Sequence, residues 1–244
     1  MRNESKAKSV IHILLFVITC SQSVCSQRVN NVATSNLTVI STIAGYENSV
    51  RHQPLKKIVP LKAFISPLFT DYKYATSDNF THQILYTGPA AYSRLAVAVQ
   101  LKKVEEDLAK KGLGLKFFDA YRPYSVTKKM WEVVPDERYA ANPAKGSGHN
   151  RGTAVDVTLV KIPSGEEVPM PTGFDDFSER AHHNYMQLPD EVLQNRQLLK
   201  KTMEKYGFEP LSTEWWHYSL TKSGTNYEVL DLGFDQLKEL EKVQ

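Results

Sequence analysis

Two stretches of this chain repeat their apolar residues at helical spacing. Leu95, Val99, Leu101, Val104 and Leu108 form one stripe, closed by Gly112, and Pro89 stands ahead of it where a missing N–H does no harm, so a helix is predicted over 89–111. Val192, Leu198, Leu199 and Met203 form a second stripe, and Pro189 and Gly207 bound a helix near 189–206. The strand signals are different in kind. Leu113 to Phe118 is an apolar run ending at Asp119, and Thr153 to Val160 is rich in β-branched residues and reads as a buried strand presenting Asp156. Val126 to Val134 predicts a short helix, Ile162 to Val168 a hairpin turning on Pro163-Ser164-Gly165, and Phe234 to Leu240 a short amphipathic helix. Helices and strands are grouped rather than regularly alternating, which favours an α+β domain with an antiparallel sheet flanked by the two long helices.

Composition narrows this further. At 244 residues and 41% hydrophobic content, the chain can bury one good core and is most simply a single domain. Arg2, Lys6 and Lys8 precede an apolar run from Val10 to Cys20 that is too short to span a bilayer, so residues 1–26 read as a cleaved signal peptide and the product as exported, with a periplasm as the expected compartment. Both cysteines, Cys20 and Cys25, fall in this leader, which leaves neither a disulfide nor a thiolate ligand in the mature chain; a lipid anchor on Cys20 is the alternative. Losing three basic side chains and one acidic one lowers the formal charge from +3 to about +1, and no broad field remains to attract nucleic acid or anionic lipid. Residues 27–60, with a possible strand at Thr38-Val39-Ile40, read as an N-terminal arm, 61–222 as the main domain and 223–244 as a C-terminal extension.

The chemistry concentrates in two places. Ser147-Gly148-His149-Asn150-Arg151-Gly152 runs on to Asp156, and some sixty residues later comes Glu214-Trp215-Trp216-His217. Together they offer two imidazoles, His149 and His217, and one carboxylate, Asp156, the set a catalytic zinc keeps while its fourth position stays open. Nitrogen and oxygen donors favour zinc and also suit other divalent first-row metals. Glu214 is left over as a base. For either half alone, a buried and hydrogen-bonded histidine is the competing reading. In an ideal strand 214 and 217 face opposite sides, so the backbone must bend between them if both are to serve one metal. The pair His182-His183 points two ways for the same reason and reads as support rather than ligand. Arg122, just past a strand end, could hold the oxyanion of a tetrahedral intermediate; a carboxylate partner is the alternative.

These two motifs, joined in order by Lys73 to Phe80, Asp119-Ala120-Tyr121-Arg122-Pro123 and Gly173 to Phe177 with His182-His183, resemble the zinc D-alanyl-D-alanine dipeptidases, the group that includes the vancomycin-resistance dipeptidases. The resemblance covers roughly Phe69 to Leu220. It implies a hedgehog/D,D-peptidase-like fold, one zinc ion on His149, Asp156 and His217, Glu214 as general base and Arg122 on the oxyanion. It also implies that Tyr74 and Asp175 receive the free ammonium of a small D,D-dipeptide, with Ser147 as a donor to its backbone. Two rivals remain at this level: an exported zinc D,D-carboxypeptidase or endopeptidase acting on peptidoglycan stem peptides, and a non-catalytic zinc-containing binding module.

Overall fold

The structure, a computed structural model, describes residues 37–220 and 227–242; the residues read as a leader lie outside the described residues. In chain order the described elements are β1 (Val39–Ile40), α1 (Ile43–Val50), β2 (Ile58–Pro60), β3 (Phe69–Thr70), β4 (Tyr92–Arg94) and α2 (Leu95–Ala109). Then follow β5 (Leu113–Asp119), α3 (Tyr124–Val133), α4 (Gly148–Arg151), β6 (Ala154–Lys161) and α5 (Asp190–Lys205). The last are β7 (Glu209–Pro210), β8 (His217–Ser219), β9 (Val229–Leu230) and α6 (Phe234–Glu241).

The main sheet has the order β3-β5-β6-β8-β7. Four of its strands pair antiparallel, and β3 joins β5 in parallel. That one parallel pair follows from connectivity: β3 and β5 are joined by a long crossover through β4 and α2, which brings the chain back in the same direction. Strand β6 is central and buried along all but its last residue. Val155, Val157 and Leu159 belong to the same core as Leu101, Val104 and Leu108 of α2 and Leu199 and Met203 of α5, so the helical stripes and the odd-numbered face of β6 meet there. Asp156 therefore projects from the other face.

Helix α2 begins at Leu95 rather than at Pro89. The residues before it are held extended: Tyr92, Ser93 and Arg94 pair with Pro60, Val59 and Ile58 of β2. Arg94 also gives its backbone N–H to Gly152 O at 2.9 Å, and long-range pairing of this kind overrides the local helix signal. Helix α5 agrees with its sequence signals, with Pro189 as N-cap, Asp190 and Glu191 in its first turn, and Gly207 at φ +87° just beyond its end.

A second core lies away from this sheet. Strand β1 pairs in parallel with β9, and Tyr46, Val50 and Ile58 pack with Leu230, Leu232, Phe234, Leu237 and Leu240. Two polar contacts tie the C-terminal stretch to the segment after β5. Asp231 Oδ1 accepts the Ser125 N–H at 2.8 Å, while Tyr121 Oη donates to Leu232 O at 2.9 Å and accepts from Leu232 N at 3.0 Å. No helix among the described residues is long and apolar enough to cross a membrane.

Glu105 of α2 couples helix to sheet, its Oε1 accepting the Leu115 N–H at 2.9 Å. Burial pushes its carboxyl up to about 7 from 4.5, against the smaller pull of that N–H. The folded chain therefore binds a proton more readily than the unfolded one between these values, and Glu105 makes stability fall as pH rises from about 4.5 to about 7. Glu105→Gln should flatten this part of the profile, read as the difference between mutant and wild-type urea midpoints at pH 5 and pH 8. Parallel profiles would contradict the assignment.

Candidate metal centre and its cleft

The site is assembled from one short helix and two paired strands. Helix α4 is a single turn made possible by its capping box: Ser147 Oγ accepts the Asn150 N–H at 3.1 Å and Asn150 Oδ1 accepts the Ser147 N–H at 3.0 Å. The Asn150 amide, fully buried, also donates to Arg122 O at 3.0 Å and Thr127 Oγ1 at 2.8 Å, which fixes α4 against the segment carrying Arg122. Gly152 ends the turn at φ +69°, where a Cβ would sit 2.8 Å from Ile58 Cδ1.

His149 leaves this turn with its Nδ1 2.8 Å from Ala120 O, a contact that places the proton on Nδ1 and turns a bare Nε2 inward. Opposite, the β6–β8 register puts Asp156 beside His217. His217 Nδ1 lies 2.9 Å from Asp156 Oδ1 and 3.2 Å from His149 Nε2, while its Nε2 meets Ser219 Oγ at 3.2 Å. One donor atom from each of the three residues falls within 4.8 Å of the others. With both outer nitrogens protonated, two imidazole lone pairs and a carboxylate converge, an arrangement that demands a cation or a shared proton at its centre. The chemistry of this donor set fits a divalent ion of the zinc type. Burial alone would favour the neutral acid at Asp156, but His149 and then His217 hold it well below the usual carboxylate range. Burial likewise opposes charge on His149, and the attraction of Asp156 outweighs it, raising that imidazole.

Glu214 reaches the same cleft because the chain turns sharply before β8. Glu214 N–H donates to Leu211 O at 3.1 Å and His217 N–H to Glu214 O at 3.3 Å, so the bend expected between 214 and 217 is a tight turn ahead of the strand. Burial pushes Glu214 up to about 7; His217 opposes this and Asp156 adds to it. Arg122 is buried, with Nε donating to Asp119 Oδ2 at 2.7 Å, Nη1 to Met130 Sδ at 3.1 Å, and its guanidinium 4.7 Å from the Tyr74 ring centre. Burial works against its charge and Asp119 more than restores it, leaving the pKa raised.

Tyr74 Oη donates to Asp175 Oδ1 at 3.1 Å. Asp175 stands at φ +59°, a conformation Asp tolerates better than most residues, and its buried Oδ2 has no hydrogen-bond partner among the described residues. Burial and then the Asp156 charge raise it to about 7. All eight residues singled out in the sequence, Tyr74, Arg122, Ser147, His149, Asp156, Asp175, Glu214 and His217, line one cavity of about 260 Å³.

His182 and His183 are not among them. His183 has both ring nitrogens buried without a hydrogen-bond partner, and burial lowers it to about 4. Two contributors escaped sequence reasoning. Asp119 is the buried anchor of Arg122, a role the sequence does not announce although the residue opens the Asp119-Ala120-Tyr121-Arg122-Pro123 motif. The segment Glu137–Ala141 also lines the cavity, and its polar, loop-like composition gives no such signal.

Comparison with known proteins agrees with this geometry. The family model described as D-ala-D-ala dipeptidase matches residues 55–235. The D-alanyl-D-alanine dipeptidase of Escherichia coli is 33% identical over 169 residues, covering 69% of this chain and 87% of that protein. Those of Enterococcus faecium and Enterococcus faecalis are 37% and 36% identical, each over 170 residues, 62% of this chain and 84% of theirs. With three quarters of its length matched by that model and relatives aligned over most of their own, the chain belongs to the D-ala-D-ala dipeptidase family of metallopeptidases.

Proposed function

We infer that this chain hydrolyses D-alanyl-D-alanine to free D-alanine, using one zinc ion held by His149, Asp156 and His217. The observation that carries the reading is Asp175. Its carboxyl group belongs to the lining of the cavity that holds the donor cluster, and one of its buried oxygens has no hydrogen-bond partner among the described residues, so it is an acceptor of the kind a substrate ammonium needs. A cavity of about 260 Å³ also lies at the small end of ligand sites, in keeping with a dipeptide rather than a cell-wall stem.

Zinc in this position supplies Lewis-acid polarisation of the scissile carbonyl and activation of water at neutral pH. The remaining roles belong to the chain. Glu214 takes the proton of the attacking water, since a pKa near 7 lets it accept and then release one, and delivers it to the leaving amine. Arg122 has five N–H donors, of which Asp119 and Met130 occupy three, so two remain for the oxyanion. Tyr74 and Asp175 hold the ammonium. The Ser147 oxygen accepts from Asn150, which leaves its hydroxyl proton free to donate to the substrate backbone.

The deciding experiment follows D-alanine release from the dipeptide and from a stem pentapeptide, with zinc restored and with chelator added. Chelator-sensitive turnover of the dipeptide alone is the expected result. Efficient cleavage of the pentapeptide would move the chain to the carboxypeptidase reading, and bound zinc without hydrolysis of either would make it a binding module. Glu214→Gln should keep its zinc, measured by atomic absorption, while kcat falls by roughly 10²–10⁴. Asp175→Asn should raise KM for the free dipeptide by about 10- to 100-fold, the worth of a charge-assisted hydrogen bond. An unchanged KM would remove Asp175 from ammonium recognition.

A further inference from the structure

One wall of the cavity is the connection between α3 and α4, residues 134–146, and it is braced rather than loose. Asp136 O accepts the N–H groups of Tyr139 and Ala140, each at 3.0 Å. The Glu137 carboxylate gathers Asn142 Nδ2 at 2.9 Å and Lys145 Nζ at 2.8 Å, and Tyr124 Oη donates to Pro143 O at 3.0 Å. Ala140 is buried in the same core as Met130 of α3. Arg138, paired with Asp136, lies over the Tyr139 ring, 5.3 Å from its centre.

This loop presents Tyr139 across the cleft. Its ring meets Phe177 edge to face, with centroids 4.9 Å apart and planes at 85°. Phe177 in turn meets Phe80 at 5.7 Å, and Phe80 meets Tyr74 at 6.3 Å. The aromatic chain thus runs from the loop to the tyrosine that holds Asp175, and Phe177 lies two residues beyond Asp175 itself. Tyr139, Phe177, Tyr74 and Asp175 all line the cavity, so the chain of rings runs along the side that carries the Tyr74–Asp175 pair.

The geometry points to the Tyr139–Phe177 contact as the device that sets substrate length, shutting the cavity beyond the amino group so that peptides extended at that end are refused. Charge recognition by Asp175 cannot do this alone, because a tripeptide also carries an ammonium, displaced by one residue. A fixed wall discriminates by clash, and a braced loop is what keeps a wall in place. The inference rests on the dipeptidase reading for its choice of substrate, and its test is separable from that reading.

The zinc-loaded full chain and its Tyr139→Ala and Tyr139→Phe variants would be compared on D-alanyl-D-alanine and on glycyl-D-alanyl-D-alanine. Both kcat/KM and, in a Glu214→Gln background, calorimetric Kd would be read for each peptide. Tyr139→Ala should move both ratios toward the tripeptide by about tenfold or more, whereas Tyr139→Phe, which keeps the ring, should hold the wild-type ratios. Ratios unmoved by Tyr139→Ala, or a wild-type chain that takes both peptides equally, would overturn the clasp. If the wild-type chain hydrolyses neither peptide, the dipeptidase reading falls, and the Kd ratios still decide whether Tyr139 limits length.

Discussion

The register between β6 and β8 is the constraint on which the centre of this molecule depends, because it sets Asp156 directly opposite His217. A slip of one residue in either strand would turn one of the two donors toward the helices. What prevents the slip is the opposite face: Val155 stands against Tyr218, both buried in the core shared with α2 and α5. The hydrophobic pattern thus chooses the polar pair. His149 arrives separately, on a turn so tightly seated that a Cβ at Gly148 would come within 2.8 Å of Ala154 Cβ. Packing brings the three donors together, and the attraction of Asp156 for the two imidazoles adds to it.

Three carboxylates of this cavity, Asp156, Asp175 and Glu214, are driven by their surroundings, beside the buried Asp119–Arg122 pair. Asp119 is committed to Arg122, and Asp156 is held ionised by the two imidazoles. Asp175 and Glu214, which have weaker compensation for their burial, are both pushed up to about 7. Environments that treat neighbouring acids differently let one site hold carboxyl groups in more than one state. Each state follows from the neighbours a carboxylate is given.

How much of this could be read from the sequence depended on range. The two long helices and strands β5 and β6 are written in local periodicity, and the bend at Glu214 follows from the two-residue repeat of a strand. Strand β4 is not written locally: its residues lie in a stretch that looks like the head of a helix, and only pairing with β2 and Gly152 makes them extended. The pair β1–β9 joins two-residue strands from opposite ends of the chain; Thr38-Val39-Ile40 reads as a possible strand, but nothing local announces its partner Val229-Leu230. The candidate ligands were legible because their spacing is unusual in joint form. The wall at 137–141 was not, because a polar loop says nothing about what its one aromatic residue faces.

Arg94 shows how the distant ends are drawn into the site. Its guanidinium is buried with no carboxylate in hydrogen-bond contact, and it donates to three backbone carbonyls, Lys56 O, Arg151 O and Glu228 O. A buried charge satisfied by carbonyls is costly to leave unpaired, so each carbonyl is held firmly where it is. One of them ends the turn that carries His149; the other two belong to the segments before β2 and before β9. The Tyr227 ring, 5.0 Å from the guanidinium, adds a face to the same enclosure. These segments are therefore part of what holds the His149 turn in position, even though none of their described side chains lines the cavity.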